Sequence, residues 1–226
     1  MQISLAVPVY ECHGMGWLYL SELLNSVAKQ TYKNIEIVIS DQSTDDKIKI
    51  LCDAYKNYLN IKYVTGHHLL RSNSPNANNA IKNCSSKYIK ILFQDDFFVD
   101  EMALQKIVAA FESDAMWIVS GCVHCSNIHS LYRPFVPYYN DNMLEGNNTI
   151  SSPSVLSVQE KELFDENLIM LMDCEMYYRL HNKYGEPYII RDLLVCNRQH
   201  KNQLQNLNQD KLSEEIDYCK NKYKGA

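Results

Sequence analysis

Ile35-Glu36-Ile37-Val38-Ile39-Ser40 runs without a break into Asp41-Gln42-Ser43-Thr44-Asp45-Asp46, a β-branched apolar stretch ending in an acid-rich polar loop. The stretch reads as a buried strand. The loop offers N-cap residues to a helix that begins near Lys47 and carries Ile48, Leu51, Cys52 and Tyr55 on one side. The same alternation continues in both directions. Upstream, residues 3–9 form a short apolar run, and residues 17–30 place Leu20, Leu23, Leu24 and Val27 at helical spacing. Downstream come a strand over 61–64, a short helix over 76–83 and a strand over 88–93 that ends at Gln94-Asp95-Asp96. A helix over 101–111 and a strand over 117–120 follow. This order predicts an α/β fold: a mostly parallel central sheet flanked by helices on both faces. Ligands of such sheets sit outside the carboxyl ends of the strands. Tyr10-Glu11, Asp41 and Asp95-Asp96 stand at those ends, so three acidic clusters are expected to converge on one crevice.

Beyond residue 125 the pattern loosens. Residues 131–148, rich in Tyr, Pro and Asn, read as a long loop or hairpin, and 147–154 as a polar turn segment. Residues 167–184 read as a helix stopped by Gly185 and Pro187. Residues 188–190 and 193–195 read as two short strands, and 212–224 as a polar terminal helix.

With 226 residues, the chain can bury roughly 70–75% of its unfolded surface and needs no disulfide or metal staple. A net charge of −5 and the lack of a clustered basic face exclude a nucleic-acid footprint. The eight cysteines are scattered through a long chain, and the N-terminus has no basic n-region or long apolar segment. Reduced thiols and a cytoplasmic location are therefore expected. No run of about 20 apolar residues marks a membrane-spanning helix.

Several residues could carry chemistry, each with a plainer alternative. Adjacent Asp95 and Asp96 repel unless a cation or proton lies between them, and hard divalent cations bridge such carboxylates to phosphates. They could equally cap a turn. Asp41 could accept from a base ring N–H, or serve as a helix N-cap. Asp173 stands among Met and Tyr early in a helix. Desolvation there would raise it toward general-base values, whereas a helix dipole alone also favours an acid in the first turn. His200 could ligate a metal, with Arg198 or Lys201 meeting a phosphate, or be a surface residue. Cys122 and Cys125 have Cys-x-x-Cys spacing but no second ligand pair, and read as buried thiols.

In order and spacing these stretches resemble the family 2 glycosyltransferases over roughly residues 2–203. Leu5-Ala6-Val7-Pro8-Val9-Tyr10 is similar to that family's first strand and loop. Ser26-Val27-Ala28-Lys29-Gln30-Thr31-Tyr32-Lys33-Asn34-Ile35-Glu36-Ile37-Val38-Ile39 is similar to its second strand with the helix end before it, and Ser40-Asp41-Gln42-Ser43-Thr44-Asp45 to its "DDGSTD" loop. Ala77-Asn78-Asn79-Ala80-Ile81, the strand leading to Gln94-Asp95-Asp96, the loop Ser152-Pro153-Ser154, and Phe164-Asp165-Glu166 followed by Met172-Asp173-Cys174-Glu175 and Arg179 continue the likeness. The chain departs from the pattern at Phe93, where the first Asp of a DxD triplet is usual. It also departs at Ser40, Asn78 and Met172.

The resemblance implies a GT-A, Rossmann-like fold over 1–203, with a nucleotide-binding half (1–100), an acceptor-binding half (101–203) and a polar helical tail (204–226). It implies that Pro8, Tyr10, Glu11, Asp41, Asn79, Gln94 and Asp95 contact the nucleotide-sugar. Mn²⁺ or Mg²⁺ would be held by Asp95, Asp96 and His200, and Asp173 would deprotonate the acceptor hydroxyl. The implied donor is a UDP-sugar and the acceptor a saccharide or lipid-linked saccharide. The implied reaction is inverting transfer in polysaccharide or glycoconjugate synthesis, at the inner face of a membrane with peripheral contact. Residues 131–148 or 202–209 would close over the donor as a lid. The competing readings are a catalytically inactive nucleotide- or saccharide-binding module of the same fold, and a nucleotidyltransferase. The latter lacks support, because Glu11-Cys12-His13-Gly14-Met15-Gly16 has no Lys or Arg.

Overall fold

The computed structural model describes residues 1–201, 203 and 210–224. Most of the proposed 202–209 lid lies outside the described residues. The first half follows the expected alternation: β1 (Ile3–Val9), α1 (Gly16–Ala28), β2 (Ile35–Asp41), α2 (Lys47–Tyr55), β3 (Ile61–Thr65), α3 (Asn73–Asn83) and β4 (Tyr88–Ile91). All seven residues of β1 are buried, which suits a strand covered on both faces. β1 pairs in parallel with β2 (Ile3↔Ile35 through Val9↔Asp41) and with β4 (Leu5↔Lys90), and β2 pairs in parallel with β3.

The second half adds β5 (Phe97–Phe98), α4 (Ala103–Glu112), β6 (Trp117–Cys125), β7 (Leu131–Phe135), β8 (Leu156–Gln159), α5 (Met172–Tyr184), β9 (Tyr188–Arg198) and α6 (Lys211–Lys222). Among the described residues the sheet has nine strands in the order β3-β2-β1-β4-β8-β6-β9-β5, with β7 paired to β6. Here it is mixed: β8 is antiparallel to both β4 and β6, while β6 and β9 are parallel. Side-chain alternation on β1 divides the core. Ile3, Leu5, Val7 and Val9 pack with Leu20, Leu23, Leu24 and Val27 of α1, Ile48 of α2 and Leu104 of α4, while Ala6 packs with Ala77, Ala80 and Ile81 of α3 and Met176, Tyr177 and Leu180 of α5. Helices therefore cover both faces, and the strand ends stay open.

Three local expectations change. Residues 188–190 and 193–195 belong to one strand, because the charged pair Arg191-Asp192 sits at a register shift beside Gly121 and does not end it. A Cβ at Gly121 would lie 2.8 Å from the Asp192 carbonyl oxygen, so only glycine lets the bulged backbone come this close. α5 starts at Met172, not at 167. Residues 169–171 form a turn whose three backbone N–H groups donate to the Glu215 carboxylate of α6 at 2.8–3.0 Å. β5 and β8 occupy stretches to which the sequence pattern assigned no element. All eight cysteines are buried and free. Among the described residues no helix is long and apolar enough to cross a membrane.

Candidate active site

Tyr10 follows β1 and Gln94-Asp95-Asp96 lie beyond the end of β4, and together they form the floor of a cleft of about 440 Å³. Much of its wall comes from the second half: Ser151-Ser152-Pro153, Met172-Asp173 at the start of α5, and Asn197 to His200 at the end of β9. Gln94 is nearly buried and accepts the Tyr10 N–H at 2.8 Å, which ties the ends of β1 and β4 together. Pro8 and Tyr10 line the cleft, and burial raises the Tyr10 hydroxyl above its ordinary range.

The two adjacent carboxylates divide their roles. Asp96 is 4% exposed and accepts from the Arg198 N–H (2.8 Å) and the Ser152 hydroxyl (3.1 Å). Burial, and secondarily the charge of Asp95, push its carboxyl above the usual range. Asp95 is the more open of the pair, and its Oδ2 lies 3.0 Å from Nε2 of His200, whose ring packs on Tyr19. The neighbouring Arg198 is not available to a phosphate. Its guanidinium pairs with Glu22, donates to the Asp95 carbonyl at 2.8 Å and lies 4.6 Å from the centre of the Tyr19 ring.

Among the described residues no group of three or more His, Cys, Asp or Glu forms a metal cluster. One carboxylate and one imidazole in contact still fit a hard divalent cation that takes its other positions from diphosphate oxygens and water. By this geometry Asp95 and His200 are the candidate ligands, and Asp96 props the loop behind them.

Asp173 is half-buried in the first turn of α5. Its Oδ1 accepts the Cys174 N–H (2.8 Å) and its Oδ2 accepts Nδ2–H of Asn148 (2.8 Å). Burial outweighs these bonds and raises its pKa to about 6. Asn148 also accepts the Ile150 and Ser151 N–H groups, and Asn197 donates to Ser151 Oγ at 2.8 Å, so Asp173 sits in a braced polar wall. Among the described residues, three of the six non-glycine residues with positive φ (Cys12, Arg133 and Ser151) line this one cleft. Such conformations cost of order 1 kcal/mol each and collect at functional sites.

Not every expected residue reaches the cleft. Asp41 is 1% exposed and engaged by the Ser43 N–H and the Tyr63 hydroxyl, both at 2.8 Å. It stands behind a smaller cavity lined by Gln42, Ser43, Thr44, Gly66 and Arg71. Glu11 pairs with Arg71 on that side. Asn79 braces the Ser40 hydroxyl (2.8 Å) and the Thr65 carbonyl; its neighbour one turn earlier, Asn76, lines the main cleft. The acids that line the cleft are therefore Asp95, Asp96 and Asp173, with Asp41 at one remove. Asn148, Ser151 and Asn197 carried no signal in the sequence beyond being polar residues in loops or at a strand end.

The model of the family described as Glycosyl transferase family 2 matches residues 4–168. The chain belongs to glycosyl transferase family 2. Among its family relatives, a Rickettsia prowazekii protein named as an uncharacterized glycosyltransferase is 25% identical over 94% of this chain and 68% of its own length. The poly(ribitol-phosphate) beta-N-acetylglucosaminyltransferase TarS of Staphylococcus aureus is 27% identical over 82% of this chain and 36% of its own length. The chain thus spans about a third of TarS. Solved structures agree on the GT-A fold. TarS residues 1–349 in complex with UDP-GlcNAc superpose with a TM-score of 0.67 at 17% identity, covering 99% of this chain and 73% of that one. The mannosyltransferase PcManGT of Pyrobaculum calidifontis, in complex with GDP-Man and Mn2+, gives 0.63 at 14% identity, covering 87% and 56%.

Proposed function

We propose that the protein transfers a sugar from a nucleotide-diphosphate sugar to an acceptor hydroxyl, with inversion at the anomeric carbon. One observation carries this reading: the half-buried Asp173 and the Asp95–His200 pair share the walls of one cleft at the strand ends. In a single displacement, the acceptor oxygen bonds to the anomeric carbon as the bond from that carbon to the diphosphate oxygen breaks. Asp173 takes the acceptor's proton. A carboxylate with a pKa near 6 is ionised at neutral pH and still basic enough to help. Asn148 and the Cys174 N–H keep its oxygens oriented.

Asp95 and His200 would hold a Mn²⁺ or Mg²⁺ ion, which supplies charge neutralisation to the departing diphosphate when bound. The ring and backbone of Pro8-Val9-Tyr10 would carry the nucleoside. The base would lie toward the Ser43–Gly66 cavity, whose wall Asp41 holds through Ser43 and Tyr63. A UDP-sugar is the favoured donor, in keeping with the UDP-GlcNAc bound to TarS. A saccharide or lipid-linked saccharide is the favoured acceptor, and the setting is polysaccharide or glycoconjugate assembly at the cytoplasmic side of a membrane.

Thermal shift with a panel of nucleotide-sugars, with and without Mn²⁺, tests this, since a ligand that binds only the folded state raises the melting point. One donor is expected to stabilise the wild type in the presence of Mn²⁺, with the Mn²⁺-dependent part absent in Asp95→Ala. Donor binding that is equal with and without Mn²⁺ in the wild type would remove the metal from the account.

A further inference from the structure

Arg133 has no place in the chemistry above, yet it lines the same cleft. It is exposed, and among the described residues its guanidinium has no hydrogen-bond or carboxylate partner. The other arginine in the wall, Arg198, is held by Glu22 and the Asp95 carbonyl, so Arg133 is the guanidinium that a ligand can claim.

Its backbone is built to hold it there. Arg133 adopts φ +47 immediately before Pro134, a position where proline steers the preceding residue toward extended backbone. His124 secures this conformation by donating its Nδ1–H to the Arg133 carbonyl at 2.9 Å, across an irregular step in the β6–β7 pairing. Next to it, Asn197 pairs in register with His124, is 3% exposed, lines the cleft and, among the described residues, leaves its Oδ1 without a partner. A free guanidinium suits an oxyanion, and an orphaned amide oxygen suits a hydroxyl donor. β7 joins the sheet at β6, separated from β1 and β2 by β4 and β8, so this pair approaches from the side away from the proposed nucleoside.

We infer that Arg133 is a specificity-determining residue that selects an acceptor carrying an oxyanion, a phosphate or a carboxylate, beside its hydroxyl groups, with Asn197 accepting from one of those hydroxyls. This deepens the proposed function and rests on it, because it takes the Asp95 side of the cleft as the donor site.

The test uses the full chain saturated with UDP and Mn²⁺, so that the donor site is filled, and measures binding by NMR titration. Glycerol 3-phosphate and glucuronate are the anionic probes; glycerol and glucose are their neutral counterparts. At least one anionic probe is expected to bind tenfold or more tightly than its neutral counterpart, and which one does so separates phosphate from carboxylate. Arg133→Gln should abolish that preference with UDP affinity unchanged. Arg133→Lys should restore part of it, since charge is kept and the bidentate fork is lost. An unchanged preference in Arg133→Gln, or none in the wild type, overturns the assignment. A fall in UDP affinity in Arg133→Gln would instead move Arg133 to the donor. Failure of the wild type to bind UDP at all would sink the donor reading itself, an outcome distinct from the others.

Discussion

Two forces compete at the Asp173 carboxylate. The helix start and Asn148 favour the anion, burial favours the acid, and burial wins, lifting the pKa to about 6. If this group is the base, turnover at saturating substrates should fall tenfold per pH unit below about 6 and level off above it, as a pH–rate profile would show. A pH-independent rate between 5 and 8 would count against it. The same shift bears on stability. The folded chain holds the Asp173 proton more tightly than the unfolded chain, so a stabilising contribution is complete below the ordinary carboxylate value and lost as pH rises through about 6. Asp173→Asn, which mimics the neutral form, should therefore melt higher than wild type at pH 8, with the gap closing near pH 4. At this scale the sequence was legible where polarity met an apolar run. Asp95, Asp173 and His200 follow or interrupt such runs. Asn148 and Asn197 do not stand out, because their value comes from partners brought from distant parts of the chain, Asp173 and Ser151. For Asp41 the sequence left two roles open, since a strand-end acid can face the ligand or tie down its own surroundings; its hydrogen bonds come from Ser43 of its loop and Tyr63 of β3.

Glu215 shows how an element outside the sheet shapes the site. Its carboxylate receives three N–H groups from the turn at 169–171, and Ile169 and Met170 of that turn line the cleft just before Asp173. Nearby, Lys222 of α6 bridges Asp165 and Glu175. Hydrogen bonds to a charged group contribute roughly 1.5–3 kcal/mol, so Glu215→Ala should lower unfolding stability by about 2–3 kcal/mol in urea titrations. Glu215→Gln should recover part of that loss. A change under about 0.5 kcal/mol, the usual range for an exposed site, would show that the turn stands without α6. The helix boundary at Met172 was hidden for the same reason: residues 167–171 have helical spacing, but a distant glutamate satisfies the N–H groups of 169–171. β8 was missed because Leu156-Ser157-Val158-Gln159 is only four residues long and follows a serine-rich loop. The break expected between 190 and 193 does not occur, because a bulge opposite Gly121 absorbs Arg191 and Asp192.

For the molecule as a whole, the parallel β3-β2-β1-β4 half was readable because buried parallel strands are continuous apolar runs. The second half was less so, since its antiparallel strands are short and their partners distant. The cleft lies where the halves meet: Tyr10 and Gln94-Asp95 come from the first, Asp173 and Asn197 to His200 mainly from the second. Donor binding and proton removal should accordingly be separable. With the donor selected by the thermal screen, the decisive measurement is turnover and donor affinity of Asp173→Asn beside wild type, read as nucleoside diphosphate release and as a titration. The expected result is a loss of roughly 10²–10⁴ in turnover, the range for removing a general base, with donor affinity within about twofold, under the ~0.5 kcal/mol of an ordinary neutral substitution. Turnover within about tenfold of wild type, far short of a lost base, or donor affinity that collapses with it, would contradict the assignment of one cleft with a donor side and a base side.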